Sequence, residues 1–134
     1  MSGEGHFPHT RKPVVFRLFN NLEVGGVTSR LRQVLPLLLD EFDVHMVTYR
    51  KEGVLGPEFQ SKGITVHHVP MRGKWNPSGL MRLARLFREC GADIVHTHAF
   101  GGNISGILAA TLAKVPVRLG QVHTRQQHWY AKTE

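Results

Sequence analysis

Two kinds of apolar pattern alternate along the chain. Short apolar segments, typical of buried strands, occur at residues 14–19, 44–49, 64–70, 93–99 and 115–124. Between them, apolar residues recur at every third or fourth position, which is typical of helices that bury one face. This second pattern predicts helices at residues 27–41, 80–90 and 103–114, with a short helix at 57–62.

Strands that alternate with helices predict an α/β fold, because parallel neighbours need crossover connections. Right-handed crossovers favour the strand order 3-2-1-4-5, in a doubly wound, Rossmann-like sheet with three αβα layers. In that order the winding reverses between the first and fourth strands, which opens a crevice at their carboxyl ends. We expect a ligand in this crevice.

The composition fits one domain with a buried core, since 41% of the 134 residues are hydrophobic. The chain has 17 basic and 10 acidic residues and a formal charge of +7, which favours anionic partners such as phosphates or acidic lipids. No nucleic-acid-binding motif accompanies this charge, so we expect no nucleic-acid partner.

Cysteine content and hydropathy limit the cellular setting. Cys90 is the only cysteine, which excludes an intrachain disulfide, and we expect it to pack rather than to react. No apolar run reaches the length of about 20 residues that spans a bilayer. We therefore expect a cytoplasmic protein, with peripheral attachment to the inner face of the membrane as an alternative.

The loop at residues 20–26 joins the first strand to the first helix and ends in Gly25 and Gly26. Glycines let a backbone approach an anion, and the first free N–H groups of a helix point toward it. The loop matches neither the dinucleotide-binding fingerprint nor the lysine-bearing phosphate loop. A phosphate site and a purely conformational turn therefore both remain open here.

Histidines mark the ends of the fourth and fifth strands. His96 and His98 share one face, and His123 and Thr124 close the next strand. We expect His98 to reach the crevice, where histidine suits proton transfer or hydrogen bonding to hydroxyls, and His96 to be a hydrogen-bonded structural residue. A zinc site is disfavoured, because Asp93 lies at the far end of its strand. No metal is expected, and the other strand histidines are predicted to be structural: His45, His67 and His68.

A basic surface is predicted on the helix that follows Trp75. Arg82, Arg85 and Arg88 lie on its outer side, opposite the apolar positions. Such a surface can contact an acidic membrane, although arginines on an outer face can also be simply solvated. Both interpretations remain open.

Three segments resemble one family. They are the first strand with LEVGGVTSRLRQVLPLL, the strand DVHMVTY, and the string ADIVHTHAFGGNISGILAATLAKVPVRLGQVHT. Together, across residues 14–125, they resemble the amino-terminal, acceptor-side domain of a retaining glycosyltransferase of the GT-B type, in the group 1 family (family 4). The last string is the most specific of the three.

The resemblance implies an activity and a set of site residues. Such enzymes transfer a glycosyl group from a nucleotide-sugar to an acceptor hydroxyl with retention, without a metal cofactor, in a cleft between two Rossmann-like domains. It implies that the glycine loop, Gly25 and Gly26 with Val27, lies by the donor diphosphate. It also implies that His123 is the catalytic histidine, and that the acceptor cleft contains His98, Phe100 and Thr124.

The same resemblance leaves the donor-binding domain outside the 134 residues. We expect a flexible amino-terminal arm at 1–13, a truncated domain at 14–125, and a polar tail at 126–134 that starts a continuation. The chain alone is then expected to be inactive, with the second domain supplied by a longer chain or in trans. The alternative is a stand-alone module that binds a phosphorylated or acidic ligand without catalysis. A dehydrogenase fragment is disfavoured by the missing fingerprint.

Overall fold

The computed structural model describes residues 11–19, 22, 26–50, 53–71, 76–98 and 100–121, with the backbone alone at 26–27 and 100–103. In this part of the chain strands and helices alternate, as the apolar pattern predicts. The strands are β1 (Val14–Phe19), β2 (Asp43–Thr48), β3 (Thr65–His68), β4 (Ile94–His98) and β5 (Val117–Gln121). The helices are α1 (Gly26–Leu38), α2 (Gly56–Ser61), α3 (Pro77–Cys90) and α4 (Phe100–Leu112).

The described strands form one parallel sheet in the order β3-β2-β1-β4-β5, which confirms the predicted order. β1 is central, with Phe16 opposite both His45 of β2 and Val95 of β4. The chain winds outward from β1 to β3 and then from β4 to β5. The reversal therefore falls between β1 and β4, where a crevice is expected.

Each face of the sheet carries its own hydrophobic core, because successive side chains of a strand point to opposite faces. One core joins α1 and α2 to the sheet through Phe19, Leu35, Met46 and Phe59, among others. The other joins α3 and α4 to the opposite face through Phe16, Leu18, Val47, Phe87 and Ala110, among others. The three-layer αβα arrangement is thus present.

α3 shows how local sequence signals set the ends of a helix. The Asn76 side chain accepts a hydrogen bond from the Gly79 N–H at 3.1 Å and caps the first turn. Gly91 ends the helix in the left-handed region at φ 64°, where glycine is favoured. Between these caps the helix buries Leu83, Ala84 and Phe87 against the sheet.

Some boundaries differ from the predicted ones. α1 ends at Leu38 rather than near Glu41, because the N–H groups of Leu39 and Glu41 bond to carbonyls three residues earlier, in a tighter turn than that of an α-helix. α4 begins at Phe100, since paired glycines fit the first helical turn, where N–H groups need no intrahelical partner. No helix in the described part of the chain is long and apolar enough to cross a membrane.

Candidate functional site

The crevice lies between the carboxyl ends of β1 and β4. These strands pair from Val15 opposite Ile94 to Leu18 opposite Thr97. α1 and α4 follow the two strands and begin at this edge, on opposite faces of the sheet. The amino-terminal ends of both helices therefore bring partial positive charge and free N–H groups to one place. Such an edge favours an anionic ligand.

The predicted glycine loop falls partly outside the described residues. Gly25 lies outside them, whereas Gly26 is the first residue of α1 and Val27 the second. The first turn of α1 contains no acidic side chain that would repel an anion. The contact of Gly25, Gly26 and Val27 with a donor diphosphate stays a prediction.

His98 lies beneath the surface of this edge. Its ring stacks on Phe19 at a centroid distance of 4.5 Å and on His96 at 4.4 Å, and only 3% of the residue is exposed. The strand thus brings His98 to the predicted end of the sheet, with its ring held between two others. Direct contact of His98 with an acceptor stays a prediction.

Arg17, from the middle of β1, is the described hydrogen-bond donor to His98. Its Nε donates to His98 Nε2 at 3.2 Å, and burial lowers the pKa of the guanidinium. An imidazole that accepts at Nε2 is neutral and carries its proton on Nδ1. Arg17 therefore places a half-buried positive charge at the crevice and selects the tautomer of His98.

His96 and Gln121 extend this polar group toward β5. His96 Nε2 lies 2.8 Å from Gln121 Oε1, and an amide oxygen can only accept, so His96 donates. His96 is thus hydrogen-bonded, as predicted. The resulting polar row, on one face of β1, β4 and β5, consists of Arg17, His96, His98 and Gln121. Its cation, imidazoles and amide are suited to hydroxyl and phosphate groups.

Contacts on the opposite face of β4 hold the polar row in position. Thr97, between the two histidines, is fully buried, and its Oγ1 donates to the Leu119 carbonyl at 3.2 Å. α4 packs directly over Thr97, where Gly106 faces the strand without a side chain. β4 is therefore fixed to both β5 and α4 at the level of the row.

The side chains of the remaining predicted site residues, Phe100, His123 and Thr124, lie outside the described part of the structure. Phe100 begins α4 at the crevice edge, and only its backbone is described. His123 and Thr124 lie outside the described residues, two and three positions after Gln121, which pairs with His98. The catalytic role of His123 and the acceptor contacts of Phe100 and Thr124 stay predictions.

Sequence reasoning missed Arg17 and Gln121. Arg17 is detectable in principle, as the one charged residue within the apolar segment VVFRLF. Gln121 is recognised only from the strand register, which places it opposite His98.

Comparison with known proteins relates the chain to glycosyltransferases. Residues 25–133 match the family model described as a glycosyl transferase 4-like domain. The chain is 29% identical over 112 residues to the capsular polysaccharide biosynthesis glycosyltransferase CapH of Staphylococcus aureus, with 83% of this chain and 30% of that protein aligned. Its fold is similar to that of a glycosyltransferase from Rickettsia africae ESF-5, with a TM-score of 0.59, 20% identity, and coverage of 90% of this chain and 33% of the other. The chain thus spans about a third of the length of these two proteins.

Proposed function

The chain belongs to the glycosyl transferase 4-like domain family, and from this membership we propose that it is the acceptor-side part of a retaining glycosyltransferase of the GT-B type. The complete enzyme transfers a glycosyl group from a nucleotide-sugar to an acceptor hydroxyl. The observation that carries the proposal is the crevice between β1 and β4, where two helices begin and a half-buried cation lies beside a histidine. These groups suit an anionic donor and a hydroxyl acceptor together.

In this proposal some residues of the crevice contact the sugar donor and others contact the acceptor substrate. The first turn of α1, with Gly25, Gly26 and Val27, lies by the donor diphosphate, where helix N–H groups neutralise negative charge. His123 is the catalytic histidine at the reacting sugar. The acceptor lies over the polar row and contacts His98, Phe100 and Thr124. No metal takes part in the transfer.

Arg17 acts through His98 as a positioning residue. Because Arg17 Nε donates a hydrogen bond to His98 Nε2, the imidazole keeps one orientation and one tautomer while the acceptor binds. Its charge also raises the affinity of the edge for phosphate groups, since solvent screens a partly buried charge less than a fully exposed one.

The donor-binding groups of such an enzyme belong to a second domain. The relatives named above are about three times as long as the aligned part. We therefore expect no turnover from the 134-residue chain by itself. The second domain is joined in a longer polypeptide or supplied in trans.

The proposal is tested by measuring nucleoside diphosphate release and sugar transfer with a panel of nucleotide-sugars. The isolated chain is compared with a longer polypeptide that continues the reading frame of the source gene, and with a mixture of the two halves. We expect activity only when both domains are present, and a loss of roughly a hundredfold in kcat for His123→Ala. His68→Gln, a change on the outer strand away from the crevice, is the matched control and keeps full activity.

Each outcome decides a different part of the proposal. Robust turnover by the isolated chain contradicts its dependence on a second domain. Full activity of the His123→Ala enzyme contradicts the catalytic role of His123. Saturable binding of phosphate or a nucleotide-sugar at the crevice, without transfer by either form, favours the stand-alone binding module instead.

The cellular site of this activity is part of the proposal. We expect the enzyme in the cytoplasm, with α3 in contact with the acidic inner face of the membrane. The exposed arginines of this helix support the contact.

A further inference from the structure

Three potential metal ligands lie together on the α3 face of the sheet. They are His45 of β2, His67 of β3 and Cys90 at the end of α3. One donor atom from each lies within 4.8 Å of the donor atoms of the other two. The sequence predicts only structural roles for these residues, because they are far apart in the chain and come together only through the strand order.

The hydrogen bonds of His45 leave it in the form that binds a metal. Its Nε2 lies 3.2 Å from Asp43 Oδ2, and a carboxylate can only accept, so Nε2 carries the proton. The Nδ1 lone pair then accepts from His67 Nε2 at 2.9 Å, so zinc binding also requires the proton of His67 to move to its own Nδ1. A histidine that binds a metal usually donates its other N–H to a carboxylate in this way.

The two histidine rings are held in place by stacking. Phe16 lies against His45 at a centroid distance of 4.6 Å and against His67 at 5.7 Å, and the two imidazole planes differ by 2°. In a tetrahedral zinc site with bonds of about 2.0–2.1 Å, two nitrogen ligands are about 3.3–3.4 Å apart. The distance of 2.9 Å between His45 Nδ1 and His67 Nε2 therefore needs to widen by only about 0.5 Å.

We propose that His45, His67 and Cys90 bind a zinc ion that joins β2, β3 and α3. Two imidazoles and one thiolate form a mixed nitrogen and sulfur ligand set that zinc prefers, and water takes the fourth position. Asp43 orients His45 from outside the coordination sphere. The site is on a different part of the sheet from the crevice, so its test and the test of the proposed transfer fail independently.

The protonation of the ligands is compatible with metal uptake. Burial, with a contribution from His45, lowers the pKa of His67 and keeps this ring neutral. Burial, Glu89 and Asp43 raise the pKa of Cys90, so the metal-free thiol is protonated and unreactive. Zinc has to displace that proton, and its affinity consequently rises with pH.

Two of the three ligands line grooves that are open to solvent: His67 lines one groove and Cys90 another. Cys90, Asp43 and Glu89 line an open groove of about 810 Å³. Basic residues also line this groove, but each is hydrogen-bonded to an acceptor of its own: Arg11 to Asp93, Lys12 to the Leu39 carbonyl and Arg88 to the Leu112 carbonyl. Asp93 neutralises Arg11, whereas Lys12 and Arg88 keep their positive charge, so the groove holds these two cations beside the carboxylates of Asp43 and Glu89.

Titration with Co²⁺, a spectroscopic substitute for zinc, tests the proposal. Because Cys90 is the only cysteine, a sulfur-to-cobalt charge-transfer band in the near ultraviolet can arise only from this site. We expect the band to saturate at one Co²⁺ per chain and to disappear on addition of Zn²⁺. It should be lost in Cys90→Ser, and His67→Gln should weaken binding by at least about tenfold.

Two further variants separate binding at this site from binding elsewhere. Asp43→Ala should keep the band but weaken Co²⁺ binding roughly tenfold to a hundredfold, since it removes only the outer carboxylate. His68→Gln, next to His67 but on the opposite face of β3, should bind Co²⁺ like the parent. Circular dichroism of each metal-free variant checks that it is folded. Binding without the sulfur band, or one Co²⁺ bridging two chains, would overturn the proposal.

Discussion

At the scale of single residues, Arg17 has an interaction that the sequence alone does not reveal. A charged residue inside a central strand is costly to bury unless it is paired, and here its Nε donates to His98. Strand periodicity predicts that His96 and His98 share a face, but it does not say what lies across from them. The partner depends on the register between β1 and β4, and therefore on the tertiary structure.

Gly106 is a residue whose lack of a side chain is required by packing. A Cβ at this position would meet the methyl group of Thr97. It would also lie 2.8 Å from Leu18 Cδ2 and 3.0 Å from the Tyr49 hydroxyl. We expect Gly106→Ala to destabilise the protein by about 1–2 kcal/mol, because the overpacking cost of about 1–3 kcal/mol exceeds the gain in helix propensity of about 1 kcal/mol. Urea unfolding measures the difference.

Gly56→Ala is the matched control for this change. Gly56 begins α2, and an added Cβ there meets no atom within 4 Å. Its free energy of unfolding should change by less than about 0.5 kcal/mol. Equal stability of the Gly106→Ala variant and the parent would contradict the close approach of α4 to β4.

At the scale of elements, α3 combines a buried face with a basic surface. Leu83, Ala84 and Phe87 pack against the sheet, while the arginines one turn apart on the other side are exposed: Arg82, Arg85 and Arg88. Apolar spacing predicts both surfaces correctly. It predicts element boundaries less well, because a glycine pair is equally compatible with a turn and with the first turn of a helix, as at α4.

The basic surface of α3 predicts binding to acidic membranes. Each arginine near an acidic surface contributes about 1 kcal/mol. Two of the three also donate to backbone carbonyls, Arg82 to Pro70 and Arg88 to Leu112, so these side chains are less free to reach lipid headgroups. Replacing all three by Gln should therefore reduce partitioning onto phosphatidylserine vesicles roughly tenfold to a hundredfold. Vesicle co-sedimentation measures this change.

The control variant removes the same net charge from other parts of the surface, at Arg30, Arg50 and Lys62. It should bind these vesicles nearly as well as the parent, and neither protein should bind vesicles of neutral lipid. Equal losses in both variants would show a general charge effect and contradict a specific role for α3.

At the scale of the whole molecule, Asp93 connects distant parts of the chain. Its carboxylate accepts from both terminal nitrogens of Arg11, at 2.7 and 3.0 Å, and from the Val14 N–H at 2.8 Å. Its carbonyl accepts from the Val117 N–H at 3.1 Å. Asp93 thus ties the entry to β1, β4 and β5 together, and Arg11, at the end of the predicted arm, contacts the domain.

This network predicts a dependence of stability on pH. Burial acts to raise the pKa of Asp93, but the hydrogen bonds from Arg11 and Val14 and the charge of Arg11 outweigh it and hold the pKa below its usual value. A carboxylate whose pKa is lowered by folding stabilises the fold above its unfolded pKa of about 4. That stabilisation is lost as the pH falls through the lower folded pKa.

Asp93→Asn should therefore be less stable than the parent at pH 7, and the difference should shrink as the pH falls below about 4. Urea unfolding at a series of pH values measures both effects. Asp40→Asn, at an exposed position, controls for the loss of one negative charge. A difference between Asp93→Asn and the parent that stays constant down to pH 2 would contradict the assigned network.

The sequence by itself determines the α/β class, the strand order and the edge at which helices begin, because apolar periodicity and right-handed crossovers leave few alternatives. It also places His98 at that edge. Only the tertiary structure decides that Arg17 and Phe19 enclose His98, and that His45, His67 and Cys90 come together under α3. The physical reason is that periodicity assigns a side chain to a face, whereas its neighbours are set by register and helix packing between segments distant in the chain.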